Sequence, residues 1–184
     1  MNETTIDDYL KVTKNKKKTI ERLYRELFAP IYRFIYSVVL NHEDAEDITS
    51  ETFKKAMQKL DLFDFKKGNI KCWLFTIAKH ILVDRKRKET KFRTTSVENE
   101  EIIAASSYNI DARDQQSRTE DESRNLLEKL NAIAPKYGQV IRLKYISGLS
   151  NNEIATMLNI SNANVRQRLS RGIKILRILI SRKD

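Results

Sequence analysis

The chain has little of what breaks helices or cross-links loops. Two prolines and four glycines in 184 residues, with no sustained alternation of apolar and polar side chains, exclude a strand-rich fold and leave helix as the dominant structure. A single cysteine, Cys72, excludes a disulfide framework and a thiolate zinc cluster. The two histidines, His42 and His80, stand far apart with no ligand spacing, so no metal site is expected. No apolar run approaches the roughly 20 residues that a membrane span needs, and no signal peptide opens the chain. A soluble cytoplasmic protein without membrane insertion is expected. No nucleophile and base share a motif, and no glycine loop could cradle a phosphate, so neither an enzyme nor a cofactor is expected.

What is present is charge, unevenly placed. The net charge is +10. Residues 66–93 carry ten basic and two acidic side chains, residues 136–184 again ten and two, and residues 94–123 between them two basic and eight acidic. Two basic blocks flanking an acidic spacer point to two separate contacts with a polyanion, nucleic acid ahead of a merely solvated surface. The length suits one ordinary domain or two small ones, each with its own core.

Residues 1–17 are polar and end in the lysine-rich run Lys14 to Lys18, which reads as a mobile start. From Thr19 an amphipathic helix carries Ile20, Leu23, Tyr24 and Leu27. Pro30 is predicted to interrupt or kink it before Ile31, Tyr32, Ile35, Val38 and Val39 resume the apolar face, its aromatics reading as core rather than a ligand box. A second helix, from about Glu43 to Leu60, buries Ala45, Ile48, Phe53, Ala56 and Leu60. It opens with Glu43, Asp44, Glu46, Asp47 and Glu51. Negative charge at a helix N-terminus is stabilising by about 0.3 to 1 kcal/mol per residue, and five carboxylates exceed that need. The surplus reads either as a docking face for a basic protein or as simple solvation; no glycine-bearing calcium loop accompanies it.

Residues 61–69 form a loop with Phe63, Phe65, Lys66, Lys67 and Gly68, and a helix follows from Ile70 to about Lys88. Its apolar stripe is Trp73, Leu74, Ile77, Ala78, Ile81 and Leu82, and its other faces carry Lys71, Lys79, His80, Asp84, Arg85, Lys86 and Lys88. Aromatics among basic residues suit unpaired bases, each stacked base contributing about 1 to 3 kcal/mol while lysines track the backbone. Trp73 taken alone reads as core ahead of a base contact, and the basic edge is the stronger signal. Residues 91–122, rich in Ser, Thr, Asn and Glu, read as a flexible acidic linker. A helix from Ser123 with Leu126, Leu127, Leu130 and Ile133 stops before Pro135, and another with Val140, Ile141, Leu143 and Tyr145 stops at Gly148.

The last stretch is the most informative. Ser150 and Glu153 stand at capping-box spacing. Ile154, Ala155 and Leu158 form the apolar side of a short helix, Asn159 turns the chain, and Ser161 caps the next helix. In that helix Val165, Leu169, Gly172, Leu176, Leu179 and Ile180 share one stripe, with Ile173 on its margin. Ala163, Asn164, Gln167, Ser170, Arg171 and Lys174 point the other way, flanked by Arg166 and Arg168, side chains of the kinds that read base edges or hold phosphates. A helix-turn-helix fits better than a plain hairpin, since Ala155, Asn159 and Val165 occupy the small, turn and packing positions of that motif. The expected fold is all-α, two helical domains joined by a flexible linker, the C-terminal one carrying the helix-turn-helix.

The runs HEDAEDITSETFKKAMQKLDLFD and KGNIKCWLFTIAKHILVDRKRK resemble the polymerase-binding and promoter-melting domain of the extracytoplasmic-function sigma factors, and YISGLSNNEIATMLNISNANVRQRLSRG resembles their promoter-binding helix-turn-helix. The resemblance spans most of the chain, in the family's order. It implies a domain at 18–90 that grips a coiled coil of the RNA polymerase β′ subunit through Asp47, Ser50 and Glu51, Ser50 standing where glutamine is frequent. It implies capture of the minus-10 element by Asn69, Trp73, Lys79 and His80, and reading of the minus-35 element from a domain at 123–184 through Asn162, Asn164, Arg166, Gln167, Arg168 and Arg171. An anti-sigma factor is the further partner it implies, and regulation by an appended C-terminal module is not expected. The segment NAIAPKYGQV departs from the double proline and glutamate-rich helix start usual there. A stand-alone helix-turn-helix regulator with an N-terminal sensing or dimerisation domain is the rival reading.

Overall fold

The computed structural model describes residues 16–64, 68–93 and 118–181, with the backbone alone for 16, 89–93 and 118–120. The sequence's polar start, loop residues 65–67 and most of its acidic spacer lie outside that description. Every described element is helical: α1 (Lys16–Val39), α2 (His42–Lys59), a 3₁₀ turn (Leu60–Leu62), α3 (Ile70–Arg93), α4 (Arg118–Asn131), α5 (Pro135–Ile141) running into a π-helical turn (Arg142–Ile146), α6 (Asn151–Leu158) and α7 (Asn162–Ser181). Helices α1 to α3 make one unit and α4 to α7 a second. Pro30 does not interrupt α1, which is helical on both sides of it. Helix α3 runs to Arg93 and α4 begins at Arg118, so helix occupies both margins of the periodicity-poor stretch.

Only Leu40 and Asn41 join α1 to α2. Leu40 takes a left-handed conformation (φ 56°), its N–H donating to Tyr36 O at 2.8 Å, and the Asn41 side chain caps α2 by accepting from Asp44 N at 3.0 Å. The two helices therefore fold back on each other. An aromatic row at i, i+4 spacing seals them: Tyr24 lies 4.8 Å from Phe28 and 5.0 Å from Phe53, and Tyr32 and Tyr36 continue it to His42. Burial first, then the carboxylate of Glu46, pushes the Tyr32 hydroxyl above its ordinary pKa. It stays protonated, and its oxygen shares a hydrogen bond of 2.6 Å with His42 Nδ1, whose direction follows the imidazole tautomer. Tyr24, placed in the core by periodicity, is 49% exposed at the end of this row.

In the second unit α7 is the central strut. Val165, Leu169 and Gly172 are buried and Leu176 and Leu179 half-buried, as the stripe requires, whereas Ile180, on the edge of the stripe, is 48% exposed. Gly172 is where α5 lies closest: a Cβ there would meet Ile141 Cδ1 at 2.9 Å and Tyr137 Cβ at 3.0 Å.

The two units close on each other through one continuous apolar cluster that includes Ile35 and Phe75 of the first and Leu143 and Ile154 of the second. Two side chains of the second unit reach the C-terminal carbonyls of α1. Arg142 Nε donates to Ser37 O at 3.2 Å, and Asn131 Nδ2 donates to Val38 O at 3.3 Å. A second guanidinium nitrogen of Arg142 donates to Asn131 Oδ1, joining the two contacts. Elsewhere in the seam Lys71 Nζ lies 3.8 Å from Glu153 Oε1 and 3.4 Å from Gly148 O.

Replacing Gly172 by Ala gains about 1 kcal/mol of helix propensity but forces α5 and α7 apart, which costs about 1 to 3 kcal/mol. Because the Tyr137 Cβ cannot swing away as a side-chain tip can, the expected net result is a lower unfolding midpoint. A midpoint equal to or above that of the unsubstituted protein in thermal unfolding would show that the close approach has no energetic role.

Candidate nucleic-acid and partner interfaces

The turn between α6 and α7 forms by local chemistry. Ser150 Oγ accepts from Glu153 N at 3.2 Å while Glu153 Oε2 accepts from Ser150 N at 2.7 Å. Asn159 adopts φ 51° and ψ 48°, the left-handed conformation that ends α6, and Ser161 Oγ accepts from Asn164 N at 3.1 Å to start α7. Val165 is fully buried between the two helices. Arg166, Gln167 and Arg171 stand exposed on the opposite side of α7, with Asn162, Asn164 and Arg168 partly exposed beside them. The arginines are held on their own helix: Arg166 Nη1 donates to Asn162 Oδ1 and Arg168 Nε to Asn164 Oδ1, both at 2.9 Å. Asn162 also donates to the Asn152 side chain of α6, which fixes the angle between the helices. Gln167 and Arg171 have no such tether among the described residues.

Residues at the start of α3 meet in a second surface. Asn69 caps the helix, its Oδ1 accepting from Cys72 N at 2.9 Å. The Trp73 ring lies 5.0 Å from that of Phe63, half-exposed at the loop. Lys79 and His80 come two turns later and face a groove of about 560 Å³ between the last turns of α2 and the middle of α3. So the four positions form two places on one helix: Asn69 with Trp73 at the loop, Lys79 with His80 at the groove. Lys86, grouped with the basic faces by sequence, is 5% exposed. Lys59 and Arg87 line the groove opposite and beyond Lys79, and sequence reasoning passed over both. The four-residue spacing of Lys79, Val83 and Arg87 was the available signal for Arg87; for Lys59, on another helix, there was none.

The third surface is the acidic helix. Asp47 and Ser50 are exposed and Glu51 is partly so. Glu51 is already engaged, by Lys55 Nζ at 2.9 Å and Arg85 Nη2 at 3.8 Å, and Arg85 also reaches Asp44 at 3.5 Å. Asp47 has no ion pair among the described residues. No group of three or more His, Cys, Asp or Glu side chains among the described residues could hold a metal ion, and no helix there is long and apolar enough to cross a membrane.

Comparisons with known proteins agree with this division. Residues 23–92 match the family described as Sigma-70 region 2, and residues 123–176 match Sigma-70, region 4. The chain is 33% identical over 156 residues to the ECF RNA polymerase sigma factor SigW of Bacillus subtilis (strain 168), covering 80% of this chain and 81% of that one. It is 28% identical to SigM of the same organism, covering 89% and 96%. Among solved structures, the sigma factor RpoE in complex with the anti-sigma factor NepR from Bartonella quintana shares the fold, with a TM-score of 0.66 at 22% identity over 91% of this chain and 99% of that chain. The first half thus matches a sigma-factor region, not a sensing or dimerisation domain.

The cap at Asn69 predicts how that residue responds to substitution. Asn69→Ala removes the acceptor for the Cys72 N–H and should lower stability by about 1 kcal/mol, while Asn69→Asp, an equally good cap, should leave it within a few tenths. Chemical denaturation of both variants checks this. Equal losses in the two would sink the capping role.

Proposed function

The chain belongs to the extracytoplasmic-function group of the sigma-70 family, and we infer from that membership that it is an alternative sigma factor. It binds core RNA polymerase, directs it to specific promoters and promotes their melting. The observation that carries this reading is the occurrence of both matching regions, in order, on the two helical units. The protein performs no covalent chemistry of its own and acts in the cytoplasm beside the polymerase. Residues 18–90 serve as the polymerase-binding and melting domain, 91–122 as the linker and 123–184 as the minus-35 domain. Because a relative of the same fold was solved with an anti-sigma factor, an anti-sigma partner is part of the proposal.

Each surface then has a role. Asp47, Ser50 and Glu51 meet the β′ coiled coil of the polymerase; the exposed carboxylate of Asp47 supports this. Trp73 and Asn69 at the loop, with Lys79 and His80 in the groove, engage the minus-10 element. The exposed arc of α7 enters the major groove at minus-35, where Gln167 and Arg171 suit base edges. Arg166 and Arg168, braced by Asn162 and Asn164, suit phosphates. Co-purification with core polymerase, followed by mapping of transcription starts with the reconstituted holoenzyme, tests the whole reading.

The ion pairs of α2 rank its carboxylates. Asp47→Lys should weaken core-polymerase binding by about 1 to 2 kcal/mol, roughly tenfold, and Glu51→Gln by much less, because Lys55 and Arg85 already neutralise Glu51. Titration of labelled core enzyme with each variant reads the difference, and a larger loss for Glu51→Gln would reverse the assignment.

On α7, Gln167→Ala and Arg171→Ala should each cost about 1 to 3 kcal/mol and relax preference at one base pair. Arg166→Ala and Arg168→Ala should weaken all sequences alike and lower the salt slope by about one. Holoenzyme binding to a library of minus-35 sequences at several salt concentrations separates the two behaviours. Unchanged preferences for both Gln167→Ala and Arg171→Ala would falsify this orientation of the helix.

A further inference from the structure

Polar groups of both units meet at one place in the seam. Arg142, on the π-helical turn, is 7% exposed, and its Nε donates to Ser37 O at 3.2 Å. Asn131, the last residue of α4, donates from Nδ2 to Val38 O at 3.3 Å and accepts through Oδ1 from a second guanidinium nitrogen of Arg142. Two neighbouring carbonyls of α1 are thus engaged by two elements of the other unit, and the two donors are tied to each other. Apolar surfaces can slide over one another, but this set cannot. A shift of one residue along α1 would take both donors off their carbonyls and leave a buried charge short of an acceptor. The apolar cluster shared by the units supplies the adhesion, and the polar set fixes the register in which it closes.

Further along the seam α6 lies on the first turn of α3. Lys71 Nζ is 3.8 Å from Glu153 Oε1, and the Cys72 thiol, 5% exposed, donates to Glu153 O at 3.6 Å. These contacts are made by residues other than Arg142 and Asn131. A response at Cys72 to a change at Arg142 therefore reports movement of one unit against the other, and Cys72 is the single cysteine of the chain.

We propose that Arg142 and Asn131 form an autoinhibitory catch, which holds the free chain closed in one register, with α6 on α3, and which parts when core polymerase takes up the chain. The proposal rests on the sigma-factor reading for what closure prevents, the engagement of both promoter elements together, but not for the catch itself. Removing one member of the set strands the others only while the seam is closed, because in the open chain water satisfies them. Such a change favours opening.

The test begins with the free full-length chain, without polymerase or DNA. Reaction of Cys72 with a chromogenic aromatic disulfide reads opening. A carbodiimide, which joins an amine to a carboxylate, reads closure as an amide between Lys71 and Glu153 found by peptide mass spectrometry. In the unsubstituted chain the thiol should react slowly and the amide should form. Arg142→Lys and Asn131→Ala, each leaving a buried group short of a partner, should speed the thiol reaction by about tenfold and lower the yield of the amide, with circular dichroism unchanged. Unchanged rates and yields in folded variants overturn the catch. So does failure of the amide to form in the unsubstituted chain, which decides the question even where a variant does not fold. In holoenzyme, chains joined at Lys71 and Glu153 should bind a promoter with both elements no more tightly than one whose minus-35 element is scrambled. Lys71→Arg, treated alike but unable to form the amide, should keep its full preference for the intact promoter. A joined chain with that full preference overturns the autoinhibition. Failure of the untreated, unsubstituted chain to bind core polymerase would instead overturn the functional reading and leave the catch standing.

Discussion

A buried guanidinium with no carboxylate beside it, Arg142, is the contact on which the joining of the two helical units turns. Removing such a charge from water is costly unless its N–H groups find acceptors, and the desolvation pulls its pKa down to about 10, which still leaves it charged at neutral pH. The acceptors come from the end of α1, where the last carbonyls have no partners within the helix and the dipole is negative. Two residues of the second unit make the arrangement possible. Gly138 leaves the guanidinium its place, since a Cβ there would sit 2.8 Å from Nη1, and Asn131 holds the group from one side while bonding Val38 O from the other. Beside it is a cavity of about 20 Å³, room for about one water, lined by Lys79 and Gln139 among others. Lys79 of α3 and the interdomain arginine thus share a boundary.

The same sorting of charge explains why runs of like-charged residues in the sequence do not translate directly into surfaces. Helix α3 is basic along much of its length, yet Arg85 is turned toward Asp44 and Glu51, and Lys86 is buried. What is left without an ion pair among the described residues is Lys79, Arg87 and Lys88, with His80 beside them. On α2 the reverse holds: Lys55 and Arg85 engage Glu51, Arg85 also engages Asp44, and Glu43, Glu46 and Asp47 remain exposed. Each helix neutralises one flank of its neighbour and presents the other, so the first unit has an acidic surface and a basic one within two helices.

What could be read from sequence was what local chemistry determines. The Ser150–Glu153 capping box, the left-handed Asn159, the Ser161 cap and the buried Val165 depend on neighbours within a few residues, and spacing reveals them. Pro30 does not interrupt α1 because it removes one hydrogen bond from a helix whose flanking residues Leu27, Ile31, Phe34 and Ile35 are anchored in the core, and packing outweighs that loss. Ile180 fits the stripe of α7 only at its edge, where it is exposed. Arg142 and Lys59 gave no signal at all, since their partners and neighbours come from elsewhere in the fold. The segment NAIAPKYGQV, conspicuous as a departure from its family's usual pattern, contains both Asn131 and Gly138, the residues that accommodate Arg142.

The closed seam sets a geometric condition on the proposed activity. The minus-35 and minus-10 elements are named by positions about 25 base pairs apart, about 85 Å at 3.4 Å per pair. A compact chain of this size is only about 40 Å across. Moreover, Glu153, whose carboxylate completes the cap of α6, is also the partner of Lys71 at the start of α3. In this arrangement α6 rests on the first turn of α3, and on the roles proposed for them the two DNA elements cannot both be reached. On the proposed roles, simultaneous engagement of both elements requires the Lys71–Glu153 and Arg142–Ser37 contacts to part. The capping box would survive that separation, because Ser150 and Glu153 satisfy one another without Lys71. Arg142 would not be left stranded either, since opening returns it to water, where a guanidinium is well solvated. The polar contacts of the seam are satisfied when it is closed and tolerable when it is open, so the resistance to opening comes from the apolar cluster that the two units share.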